Sequence, residues 1–154
     1  MKTISKENKL QKFHIFNMIN NYNQGNTCKS KKKILNEIDS IDGVDVKLLL
    51  KTINKRIESL YNRDHIIGHP YFMSLVNKSG NEAKIELDNI FKNRIIPLLQ
   101  KYFNNDWEKI RVILGENHKK GKDKKYQFLK EKKNSYEINE KAFDCIDSYK
   151  KIYE

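Results

Sequence analysis

Proline, glycine and cysteine are all scarce in this chain, with two prolines, six glycines and two cysteines in 154 residues. So few helix breakers exclude loop-rich and collagen-like chains and favour a mostly helical protein. Cys28 and Cys145 stand far apart and form no paired metal motif, so reduced thiols and a cytoplasmic location are expected. No apolar run approaches the roughly 20 residues of a membrane span. The opening MKTISKENKLQKF has no apolar centre of the kind a secretion signal needs. Nowhere does the chain read G-x-x-x-x-G-K-[ST], so these residues hold no loop able to cradle nucleotide phosphates. No acidic pair follows an apolar strand to hold magnesium either.

Lysine, by contrast, is abundant. Lysine and arginine total 31 against 20 acidic residues, a net charge of +11. The densest block is residues 116–133, where eight lysines face three acids. Lys119, Lys120, Lys122, Lys124 and Lys125 are therefore candidates for nucleic-acid phosphate, contacts that are independent of base sequence and weakened by salt. The plainer reading is a solvated loop that keeps the protein soluble. No arginine stands in the block to add base stacking.

Apolar spacing predicts the elements. Residues 10–19 read as a short strand, and 31–39 as a short helix that Asp42-Gly43 ends. Val46, Leu49, Leu50, Ile53, Ile57 and Leu60 recur at helical steps and predict an amphipathic helix capped by Asp45. Pro70 suits the first turn of a further helix reaching to about Asn77. A long helix is expected over 82–103, kinked by Pro97, and a shorter one opens at Asn105 or Asp106 and closes at Gly115. Residues 126–129 and 135–138 are expected to pair as a hairpin before a terminal helix capped by Asn139. The fold class is all-α: a small bundle with a short N-terminal strand and a C-terminal hairpin plus helix.

Ionisable groups gather in the turn between the Asp45 and Pro70 helices: Arg63, Asp64, His65 and His69, with Gly68 beside them. Such a turn is where helical domains commonly place chemistry. His65 and His69 have a zinc spacing if one helix carries both, but Gly68 and Pro70 interrupt it and no third ligand is evident. Arg63-Asp64 followed by His69 resembles, loosely, the site of helical HEPN ribonucleases, where Arg stabilises phosphorane charge and His moves a proton. A helix opening at Pro70 also offers free amides to a nucleotide phosphate, with His69 as an added donor. The remaining reading is structural, with Asp64 capping, Arg63 paired and His65 bonded in a packed corner.

The runs NKRIESLYNRDHIIGHPYFMSL and LDNIFKNRIIPLLQKYFNNDWEKIRVILG resemble the C-terminal part of McrB-type AAA+ GTPases of modification-dependent restriction systems. The resemblance runs from about Val44 to Gly115 and more weakly to the end. It implies a lid of the AAA+ type over 44–115. Residues 1–43 would then hold a remnant of the last core strand, a loop and the first lid helix; 116–154 would hold the basic loop, hairpin and terminal helix. It also implies that Gly68, His69 and Arg63 face nucleotide near the second sensor position, although Pro70 stands where serine is more usual. Gln11-Lys12 stands where the family carries an arginine-rich run, and lysine lacks the planar fork that an arginine finger uses. The resemblance thus implies a truncated or split subunit, inactive alone and with no catalytic residue or metal site of its own. GTP and magnesium would bind only in a complete assembly with an AAA+ core or full-length McrB-like subunits, a McrC-like nuclease and, through them, DNA.

Overall fold

The computed structural model describes residue 38 and residues 40–154. The strand expected at 10–19, the helix at 31–39 and the Gln11-Lys12 pair lie outside the described residues, apart from half-buried Ile38 at the edge of the core.

A tight turn starts the described chain. Asp42 and Gly43 both take positive φ, +48° and +82°, which suits the two central residues of a hairpin turn. Ile41 and Val44 exchange both backbone hydrogen bonds across it, at 3.1 and 2.8 Å. Helix α1, Val46–Leu60, comes next, and Asp45 caps it by accepting from Leu48 N at 2.9 Å. Val46, Leu49, Leu50, Ile53 and Ile57 are buried as their spacing predicts, whereas Leu60, at the last residue of the helix, is exposed.

The helix expected from Pro70 is a 3-10 helix, His69–Leu75, and it stops two residues early. The long helix expected over 82–103 is present over 80–102, with a π turn inside it. It runs as α2, Gly80–Ile90, then a π turn, Phe91–Ile95, then α3, Ile96–Tyr102. Pro97 explains the π turn. It has no N–H for the carbonyl four residues back, and its ring would crowd that carbonyl. Widening the preceding turn relieves the clash, so Ile96 N–H reaches back five residues to Phe91 O. Asn104 and Asn105, both at positive φ, turn the chain into α4, Trp107–Ile113, which Asp106 caps through Lys109 N at 3.3 Å.

The C-terminal segment carries a 3-10 helix, Gly121–Tyr126, and an antiparallel hairpin of β1, Leu129–Lys132, with β2, Ser135–Ile138. The second strand is where the sequence predicts it; the first lies three residues later than 126–129. Phe128 N donates to Glu116 Oε1 at 3.1 Å, while its carbonyl accepts from Asn139 N at 2.8 Å just beyond the paired residues. The register pairs Leu129 with Ile138 and Lys132 with Ser135 across a Lys133-Asn134 turn. The terminal helix is two helices, α5, Glu140–Phe143, and α6, Asp147–Tyr153. Asn139 precedes α5 but does not cap it, because its side-chain amide donates to Gln127 O at 2.8 Å.

Helix α1 packs against α4 and α6, α2 against the His69–Leu75 helix, and α3 against α4. One core results, drawing Leu49, Ile53 and Leu87 from the first half and Phe128, Tyr149 and Ile152 from the C-terminal segment. Tyr153 Oη accepts from Asp45 N at 3.1 Å and so ties the end of the chain to the start of α1. Among the described residues no helix is long and apolar enough to cross a membrane.

Candidate functional site

Helix α1 ends where Tyr61 N–H returns to Ile57 O, and the chain enters a 3-10 turn, Arg63–His65. Asn62 organises that turn. Its side-chain oxygen accepts from Asp64 N at 3.1 Å and from His65 Nδ1 at 2.5 Å. The His65 ring is wedged edge-on between Tyr61, 4.2 Å between centroids, and Tyr102, 4.8 Å. Tyr61 in turn meets Phe103 of the core at 5.4 Å. His65 is thus a packed corner residue, as the structural reading has it.

Asn54, one turn up α1, fixes the backbone beyond that turn. Its Nδ2 donates to Ile67 O at 2.8 Å and its Oδ1 accepts from Ile67 N at 2.7 Å. A side-chain amide so placed pairs with backbone as a neighbouring strand would. It holds Gly68 and His69 at the surface beside buried Ile67. Gly68 is exposed, and a Cβ there would come within 3.2 Å of Pro70 Cδ. His69 is half-buried at the first position of its 3-10 helix, and Phe72 and Leu75 anchor that helix in the core. Replacing Asn54 with alanine leaves the Ile67 amide and carbonyl without partners. A loss of about 1–3 kcal/mol is expected, with faster amide exchange at Ile67 as its signature; unchanged exchange would show that water serves equally well.

Arg63 is 83% exposed, with Nε 3.5 Å from Glu58 Oε1. Arg63 and His65 therefore share one turn, while His69 opens another. The ribonuclease reading asks Arg63 and His69 to converge on one phosphate; Arg63 is exposed beside Glu58, and His69 opens the next 3-10 helix. His65 and His69 sit on separate 3-10 helices, so no single helix carries their four-residue spacing. Among the described residues no three His, Cys, Asp or Glu side chains gather as a metal site. Seven residues of 3-10 helix also present a smaller aligned dipole to an anion than the α-helix expected.

The second candidate region, the lysine run, is not uniform. Lys119 is only 1% exposed. Its ammonium donates to Glu116 Oε1 at 3.0 Å, Tyr126 O at 3.0 Å and Ser148 O at 3.3 Å. It is withdrawn from the nucleic-acid candidates because a buried, fully bonded cation cannot meet a phosphate. Glu116 also accepts from Phe128 N and Leu129 N. Burial pushes the Glu116 carboxyl up and the Lys119 ammonium down from their usual ranges, against their mutual attraction. Beside them Arg56 donates to Ile113 O at 3.0 Å and closes the end of α4. Lys120, Lys122, Lys124 and Lys125 are exposed.

The segment carrying the Asn54 clamp and the Arg63–His69 turns has a relative among described families. Residues 45–111 match the family model for the alpha-helical lid domain of McrB. The McrB match opens at the Asp45 cap and closes inside α4, so it contains Asn54, Arg63, Gly68 and His69 and leaves out Glu116, Lys119 and the hairpin. No curated protein gives a significant match to the chain.

Proposed function

We propose that this chain acts as the lid of a McrB-like AAA+ GTPase subunit, working through contacts with other subunits. Gly68, His69 and Arg63 contribute to a nucleotide site whose phosphate-binding core lies outside these 154 residues. The match over residues 45–111 carries this reading. The clamp of Asn54 on Ile67 supports it, because a surface turn held by both amide groups is preorganised for a ligand. GTP and magnesium belong to the complete assembly, as do a McrC-like nuclease and the DNA that a restriction system cuts.

The chain alone is expected to show no GTP turnover above buffer. Added to a McrB-like core that lacks its own lid, it is expected to raise that core's turnover. A His69→Ala change removes one donor to a charged phosphate, and the stimulated rate falls by about tenfold or more. Turnover by the chain alone that disappears in the His69→Ala variant would overturn the reading. So would a core whose rate the chain leaves untouched.

A further inference from the structure

Residues 112–154 lie outside the matched lid segment, yet they carry the densest positive charge. In a 3-10 helix residues three apart eclipse one another, so Gly121–Tyr126 presents three stripes. One stripe, Asp123 with Tyr126, faces the body of the protein: Asp123 Oδ2 is 3.8 Å from Lys151 Nζ, and Tyr126 is half-buried. The other two stripes carry Lys122 with Lys125, and Gly121 with Lys124, and all three lysines are exposed. Lys120, just ahead, is exposed as well. Of the two acids in residues 116–126, Glu116 is bonded to buried Lys119 and Asp123 lies 3.8 Å from Lys151.

Several lysines elsewhere in the described fold are paired with acids, whereas in the lysine turn Lys125 Nζ lies over the Tyr126 ring at 4.8 Å. Lys78, Lys84, Lys109 and Lys150 each meet an acid three or four residues away, and in the hairpin Lys132 meets Glu137 at 2.9 Å. Nor is the lysine turn a loose loop. Lys119 Nζ holds Tyr126 O at its far end, while Gln127 Nε2 donates to Glu116 O and Lys119 O at 3.1 and 2.9 Å. Among the described residues the large exposed apolar side chains are Leu48, Leu60, Tyr61, Ile66 and Ile85, all within residues 45–111. The lysine turn thus has nothing to insert into a lipid surface, which interfacial membrane binding needs.

We propose that Lys120, Lys122, Lys124 and Lys125 form a preorganised docking face for the phosphate backbone of nucleic acid, without readout of bases. This face is independent of the nucleotide turn at Gly68–His69. The test is binding of a mixed-sequence DNA duplex to the full chain across a salt series. Each lysine–phosphate contact contributes a slope of roughly −0.9 in log K against log salt. The Lys122→Gln, Lys124→Gln, Lys125→Gln triple variant is expected to be shallower by about 2.7 and to bind about tenfold or more weakly at low salt. A Lys51→Gln, Lys55→Gln, Lys101→Gln variant removes the same charge from exposed positions on α1 and α3 and is expected to keep the parent slope.

Equal losses in both triples would reduce the effect to net charge and overturn the proposal. So would absence of duplex binding at low salt, or strong preference among duplex sequences. Capture by anionic phospholipid vesicles through the same lysines, with the duplex unbound, would overturn it in favour of a membrane surface.

Discussion

Replacing Lys119 with methionine is expected to destabilise the protein by about 3–5 kcal/mol, the usual cost of leaving one member of a buried ion pair alone. For a domain of this size that lowers the melting temperature by on the order of 10 °C. The carboxylate of Glu116 would keep its bonds from Phe128 N and Leu129 N but lose its cation. The carbonyls of Tyr126 and Ser148 would lose a donor as well. The pH dependence gives a second readout. Burial already raises the Glu116 carboxyl, so the folded chain holds that proton more tightly than the unfolded one. Its contribution is therefore fully present below the unfolded glutamate pKa and is lost as pH climbs through the folded value. Without Lys119 the folded pKa rises further, and the loss of stability from acid to neutral pH deepens. Lys119 in the parent works the opposite way. Its lowered pKa favours folding above the unfolded lysine value, a contribution lost as pH falls through the folded value. Pairing Lys119→Met with Glu116→Gln should recover part of the loss, since glutamine still accepts from Phe128 N while removing the lone charge. Thermal melts of the two single variants and the double variant measure the coupling. A Lys119→Met protein as stable as its parent at neutral pH would mean that the ammonium contributes nothing.

That pair also marks where the sequence stops being legible. Helix α1 and its Asp45 cap can be read directly, because the apolar steps and the capping residue lie within one turn of each other. The Gly68-His69-Pro70 break is readable for the same reason. Lys119, however, looks like any member of a lysine run, and its burial depends on carbonyls at 126 and 148 and a carboxylate at 116. Only the three-residue spacing from Glu116 hints at it. Asn54 is equally silent, since its partner Ile67 stands 13 residues away. Pro97 shows an intermediate case. The missing donor is plain in the sequence, but a bend and a widened turn both relieve it. Packing of Phe91 and Ile95 into the core on both sides of the π turn favours the widened turn.

Phe91→Ala is the second large effect, expected to cost about 3–5 kcal/mol as a buried aromatic truncation. Phe91 opens the π turn and is fully buried. Its ring lies stacked against Phe128 at 5.9 Å and edge-on to Tyr149 at 5.0 Å, and it meets Phe72 at 6.5 Å. Through these rings it joins three parts of the chain: the 3-10 helix that His69 opens, the segment before the hairpin, and α6. Shrinking it leaves a cavity none of the three can close alone, because Tyr149 is also fixed by its hydroxyl to Asp88 Oδ1 at 2.5 Å. The loss should therefore spread in a defined way. Amide exchange is expected to quicken in Phe72–Leu75 and in α6, on either side of the missing ring, and less in α4, which packs elsewhere on α1. The Lys120–Lys125 face, tied by Glu116 and Lys119 rather than by Phe91, should keep its charge-dependent binding in the folded fraction. If exchange quickens only in residues 128–154 while the His69 helix stays protected, Phe91 serves the C-terminal segment alone. The nucleotide-facing turn would then owe its position to the Asn54 clamp.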